Sequence, residues 1–217
     1  MLRPMWRLIL LFLPLPAFAC DRPVCLIPAE DQFFAREVTF DDQPSGFGAG
    51  RQVHGLMMLD GVQIGERFAG QLLRNEGGFD RVEGPPLAPL QLLPGAETQN
   101  MTVIRLADTA VLSGDGPAGY PKREATGEGA LAVLFDRDQV AVRFDIRGGE
   151  GGAATVLFLR RDGSLIDTAE LEPLSEAVYA FTRQGGLRDI AGLVLTNADP
   201  DGIALDTLLF DGVDQLS

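Results

Sequence analysis

The chain has 217 residues, of which 18 are Lys or Arg and 31 are Asp or Glu, for a formal charge of −13. That balance excludes a nucleic-acid binder built on a basic face. A hydrophobic fraction of 46% is well above that of a disordered acidic tail and supplies one compact domain with a core.

Residues 1–19 carry Arg3 and Arg7, the apolar run from Leu8 to Leu13, Leu15 beyond Pro14, and Ala17-Phe18-Ala19. These are the parts of a secretory signal peptide cleaved after Ala19. The run is shorter than the roughly 20 residues of a membrane-crossing helix and no later stretch approaches that length, so no membrane span is expected. Cleavage puts Cys20 first and leaves two readings. A lipoprotein would be anchored through Cys20, although Ala17 and bulky Phe18 stand where its usual pattern has Leu and a small residue. The favoured alternative is a Cys20–Cys25 disulfide closing the loop Asp21-Arg22-Pro23-Val24 in an oxidising compartment. Losing the leader leaves 16 basic residues against 31 acidic ones, a charge of −15, and removes Trp6, the only Trp.

Residues 20–36 form an N-terminal segment, and period-two alternation from Glu37 onward marks residues 37–217 as a single β-sandwich domain. Strands are predicted at Glu37–Asp41 and His54–Leu59, the second turned by Asp60-Gly61 into Val62–Phe68. Glycine and proline are dense between Gly77 and Pro121, where only short strands such as Thr102–Leu106 fit. Leu131, Val133 and Phe135 alternate next. Val140, Val142, Phe144 and Ile146 then fall on one side of a strand, with Ala141, Arg143, Asp145 and Arg147 on the other. Thr155–Arg161 and Ser164–Leu171 flank Asp162-Gly163, read as a two-residue hairpin turn with positive φ angles. Ala177, Tyr179 and Phe181 alternate, and Ile190–Thr196 and Ile203–Phe210 close the series around the turn cluster Asn197–Gly202. In the last strand Ile203 and Leu205 share one parity and Leu208 and Phe210 the other, which predicts a bulge at Asp206-Thr207. With no long amphipathic helix, the expected fold is all-β, an antiparallel β-sandwich or jelly roll.

Three stretches, Val133–Asp145, Ala154–Ile166 and Gly202–Phe210, together resemble the β-sandwich ectodomains of exported bacterial proteins, many of which carry PEP-CTERM sorting tails. Those are similar in turn to galactose-binding-like jelly rolls and carbohydrate-binding modules, with an opening Phe-Asp-Asp such as Phe40-Asp41-Asp42 and a closing strand such as Ile203–Phe210 near each other. The resemblance spans roughly residues 37 to 211, and its motifs carry no catalysis. The chain ends Phe210-Asp-Gly-Val-Asp-Gln-Leu-Ser217, without the hydrophobic helix and basic cluster of a sorting tail. Anchoring by that route is not expected, leaving the periplasm or secretion.

The resemblance implies a structural calcium held by the hard oxygens of Asp41, Asp42 and Asp206. Against it, Asp42 opens the turn Asp42–Gly46, Asp206 suits a bulge, and no fixed ligand spacing is present. Asp199 and Asp201 form a second cluster within the common turn composition Asp-Pro-Asp-Gly. Glycan binding is implied as well. Sugars stack on aromatic faces, and Tyr120, in Ala118-Gly119-Tyr120-Pro121, is the aromatic placed in a loop where a ligand would meet it. Catalysis has little to build on. His54, the only His, alternates with Leu56 and Met58 as sheet face, and no hydrolase, P-loop or zinc motif is present. Carboxylates such as Asp80, Glu83, Glu124 and Glu128 leave room for glycoside hydrolysis. Asn100-Met101-Thr102 matches a glycosylation acceptor of no weight in a bacterial-type exported chain. The expected function is that of an exported, non-enzymatic glycan- or surface-polymer-binding module. The alternatives are an envelope protein that binds other proteins and, third, a carboxylate-based glycoside hydrolase.

Overall fold

The structure, a computed structural model, describes residues 20–213, so the leader expected at residues 1–19 lies outside the described residues. The chain opens with strands β1 (Val24–Ile27), β2 (Phe33–Thr39), β3 (Arg51–Val53), β4 (Met57–Leu59), β5 (Val62–Gly65) and β6 (Arg67–Phe68). Next come β7 (Leu72–Glu76), β8 (Phe79–Glu83), β9 (Leu92–Leu93), β10 (Met101–Arg105) and β11 (Ala110–Gly114). The second half supplies β12 (Leu131–Gln139), β13 (Ala141–Glu150), β14 (Ala154–Leu159), β15 (Leu165–Leu171), β16 (Ser175–Arg183), β17 (Ile190–Asn197) and β18 (Ile203–Val213). The fold is all-β and antiparallel, with two main sheets. One runs β1-β16-β13-β18-β11-β10-β3, with β2 also on β18, and the other runs β15-β14-β17-β12-β5-β4. β1 and the first half of β2 lie ahead of the boundary expected at residue 37, yet both are paired into the larger sheet.

Alternation explains the core. Val142, Phe144 and Ile146 point from β13 toward Val133 and Phe135 of β12 and Val156 and Phe158 of β14, giving one apolar layer between the sheets. Aromatic rings bridge that layer. Phe158 meets Phe181 at 5.1 Å and Phe135 meets Phe210 at 5.3 Å between centroids, in tilted geometry.

The glycine- and proline-rich stretch has its own role. Phe68, Leu90 and Leu92 pack with Ala132, Leu159, Ala191 and Val194 in a second, smaller core on the outer face of the β12–β14–β17 sheet. β17 is therefore covered on both faces and buried along its whole length, which accounts for the unbroken apolar run Ile190–Leu195. Burial on both faces removes the polar alternation that marks a half-wet strand.

The bulge in the last strand is where the sequence placed it. Ile146 pairs with Leu205 and Phe144 with Leu208, so two residues of β18 stand opposite Asp145. Leu205 and Leu208, three apart, are both buried. At the same point β18 changes neighbours. β11 pairs with Ala204 and Leu205, while β2 pairs from Thr207 to Val213. The turn between β14 and β15 differs from expectation. Arg160 and Ser164 pair around a three-residue loop, Gly163 N–H donating to the Arg160 carbonyl, and of Asp162 and Gly163 only Gly163 has positive φ, at 82°. The Asp162 carboxylate instead accepts from the Ser164 N–H and hydroxyl, at 2.9 and 2.7 Å, fixing a type I turn with a glycine bulge.

Candidate functional site

β3 and β4 end the two sheets on the same side of the sandwich and are joined directly by His54–Leu56. A cleft of about 590 Å³ opens there. Arg51, Gln52 and Val53 line it from β3, Met57 and Met58 from β4, Gln43 and Pro44 from the loop after β2, and Tyr120 from the loop before β12. His54 lines it too. It is exposed in the β3–β4 connection and does not alternate with Leu56 and Met58 on one strand as expected. Met57 is the residue turned inward on β4, and Met58 faces solvent.

Buried hydrogen bonds hold this rim in place. The Asn100 side chain is buried, donates from Nδ2 to the Val53 and Gly55 carbonyls at 2.8 Å each, and accepts from the Gly95 N–H at 2.9 Å. It thereby clamps the turn that carries His54. Its amide hydrogens are spent inside the protein, so the acceptor motif is a structural asparagine. The Tyr120 hydroxyl donates to the Gly50 carbonyl at 3.3 Å, and its N–H donates to the Thr98 carbonyl at 2.7 Å. Gly50 sits at φ 76°, and an added Cβ would lie 2.5 Å from Thr102 Cγ2, so only glycine lets the chain enter β3 this close to β10. Tyr120 is thus half-buried at the cleft wall, one edge of its ring fixed by hydrogen bonding. Phe47 and Phe33 are also exposed aromatics, which the sequence reading did not single out.

The proposed metal ligands lie elsewhere. Asp41 and Asp206 do approach the same place, the seam where β2 and β11 meet end to end along β18. Asp41 Oδ1 accepts from the Ala110 N–H at 2.8 Å and pairs with Arg105 at 3.4 Å. Asp206 Oδ1 accepts from the Thr109 hydroxyl and Oδ2 from Arg147, both at 2.7 Å. A hard cation needs several free oxygens, and here Asp41 Oδ1 and both oxygens of Asp206 already accept from guanidinium, backbone or hydroxyl donors. Asp42 is exposed beside them, and no group of three or more His, Cys, Asp or Glu able to hold a metal occurs among the described residues. Asp199 is buried and accepts from the Glu150 and Gly152 N–H groups at 2.8 and 3.0 Å, while exposed Asp201 pairs with Arg123 at 3.6 Å. Both act as turn residues.

Of the four carboxylates considered for hydrolysis, Asp80 on β8 is the buried one. Burial pushes its carboxyl up to about 7, with Glu66 and Glu128 adding to the rise and the Ala130 N–H and Arg67 opposing it. Glu66 is buried against Arg67, and Glu66 Oε1 and Arg67 Nε are left without partners. Glu83 pairs with Arg74 on the exposed β7–β8 hairpin, and Glu124 is exposed in a 3₁₀ turn. None of the four lines the β3–β4 cleft.

Cys20 and Cys25 are joined by a disulfide, with a Cα–Cα distance of 5.9 Å. Arg22 inside the loop pairs with Asp167 at 2.8 Å, fastening the N-terminal segment to β15.

No protein family and no curated protein matches this chain. Among solved structures it is similar to a crystal structure of a non-crystalline cellulose specific carbohydrate-binding module, CBM28. The identity is 16% and the TM-score 0.26, over 51% of this chain and 76% of that one. A likeness of that size carries no argument for fold or ligand, and the two-sheet architecture rests on the strand pairing above.

Proposed function

We propose that the protein is an exported, non-enzymatic β-sandwich that binds a glycan or surface polymer in the β3–β4 cleft. The observation that carries this reading is the composition of the cleft wall. A tyrosine ring fixed at one edge stands with the side-chain amides of Gln43 and Gln52 around an open trough. Rings supply a flat face for a sugar, and amides supply paired donors and acceptors for its hydroxyls. The trough is open at the surface, as a polymer passing through it requires.

Affinity electrophoresis of the protein in gels containing a panel of polysaccharides tests the reading. Retardation on at least one polymer is expected, with Tyr120→Ala weakening it about tenfold and Tyr120→Phe, which keeps the ring, weakening it much less. Retardation on none, or equal retardation of wild type and Tyr120→Ala, overturns it. A second reading, an envelope interaction protein, is favoured by exposed Met58 and by the terminal positions of β3 and β4 in their sheets. A protein partner that binds with no dependence on sugars would replace the first reading by this one.

A further inference from the structure

We infer that the cleft selects a carboxylated sugar chain over a neutral one, with Arg51 as the residue that reads the charge. The inference rests on the glycan reading and adds the class of sugar.

Charge distribution is the first support. In a chain with 31 acidic residues, no Asp or Glu lines the cleft. Asp42 and Glu97, on flanking segments, stay outside the lining, and Gln52 Nε2 donates to the backbone carbonyl of Glu97.

The state of Arg51 is the second. Every other arginine among the described residues, Arg137 excepted, pairs with a carboxylate of this chain. Arg51 is exposed, lines the cleft and has no such partner. A guanidinium presents a planar fork that matches a carboxylate with two parallel hydrogen bonds, and in an acidic protein an arginine left without one is available to a carboxylate from outside. His54, the only histidine of the chain, stands on the same wall as a further nitrogen donor or acceptor, held there by the Asn100 clamp.

The overall negative charge does not forbid such a ligand. At about 0.1 M salt the screening length is about 10 Å, so acidic faces farther off are damped while a contact at Arg51 is not. Faces rich in Asp and Glu repel an anionic polymer, and the cleft wall carries none of these residues.

The test uses polygalacturonate, alginate and hyaluronan, each beside its carboxyl-reduced form, which keeps linkage and hydroxyls and loses the charge. Wild-type protein is expected to bind at least one of these polyuronates about tenfold more tightly than its reduced form, about one charge-assisted pair's worth. Arg51→Gln should erase that difference, and Arg51→Lys should restore part of it. The thermal midpoint of Arg51→Gln should match wild type, since the side chain has no partner to lose. Equal binding of a polyuronate and its reduced form, or a silent Arg51→Gln, overturns the inference and leaves the glycan reading standing. Retention on no polysaccharide overturns both.

Discussion

Replacing Asp80 by asparagine should stabilise the protein at mildly alkaline pH and change little in acid. Asp80 is 3% exposed, and burial raises its carboxyl to about 7, whereas in the unfolded chain such a group titrates near about 3.9. Between those values the folded protein holds a proton that the unfolded chain has released. Stability therefore falls as pH rises through that window, and the whole penalty is present above about pH 7. About three units correspond to roughly 4 kcal/mol, a large part of the about 5–15 kcal/mol that holds a domain folded. Asp80→Asn keeps an acceptor for the Ala130 N–H, which reaches the carboxylate at 3.3 Å, and carries no charge to desolvate. Urea unfolding followed by far-UV circular dichroism reads the effect. With a slope of about 2–3 kcal/mol per molar urea, the variant's midpoint should exceed wild type by about 1.5 M near pH 8 and by almost nothing near pH 4. A difference that stays constant with pH refutes the reasoning, because it would mean that Asp80 titrates alike in both states.

Three further outcomes concern the seam and the N-terminus. Asp206→Ala should cost about 1–3 kcal/mol, since it removes the short acceptor of the buried Thr109 hydroxyl and leaves Arg147 with Glu176 alone, and Asp206→Asn should cost less by keeping an acceptor. In calorimetric melts of the wild type, millimolar calcium should leave the midpoint unmoved; a rise that Asp206→Asn abolishes would return that residue to metal binding. Reducing the Cys20–Cys25 bond, which closes a short loop, should lower stability by about 2 kcal/mol or less and leave the sandwich folded. Complete loss of the far-UV β signal on reduction would show that the N-terminal segment is essential to the sheet.

The second half of the chain was legible because its strands either alternate cleanly, as β13 does, or break parity at a single point, as β18 does at Asp206-Thr207. The region from Ala69 to Leu93 was not. Its short strands cover the outside of a sheet already buried from within, so no residue there needs strict alternation, and Leu90 and Leu92 read as scattered apolar positions. Strand β11 was hidden for a related reason. All of Ala110–Gly114 is buried, and a short unbroken run has no period to detect. Tyr120, singled out by its loop context, lines the cleft. Arg51 and Asn100 were missed because their roles depend on what they touch, or leave untouched, across the fold. The single hint was local: the glycines at 48 and 50 ahead of Arg51 marked a tight entry into an edge strand. Asp41 and Asp206 were correctly placed near each other, but their arginine partners, Arg105 and Arg147, lie far off in sequence.

The partner exchange along β18 sets an order of assembly. β2, near the beginning of the described chain, and β11, in its middle, take their places in the sheet end to end along a strand that follows both. Until residues 203–213 arrive, β13 has a bare edge, β2 has no neighbour in the sheet, and the rings of Phe135 and Phe144 have no lid. Contacts so distant in sequence form late and slowly. A chain delivered one residue at a time, from a ribosome or through a pore, therefore stays open for nearly its whole length and closes in a single concluding step. Cutting it short by one strand would leave two unmatched halves rather than a slightly smaller protein.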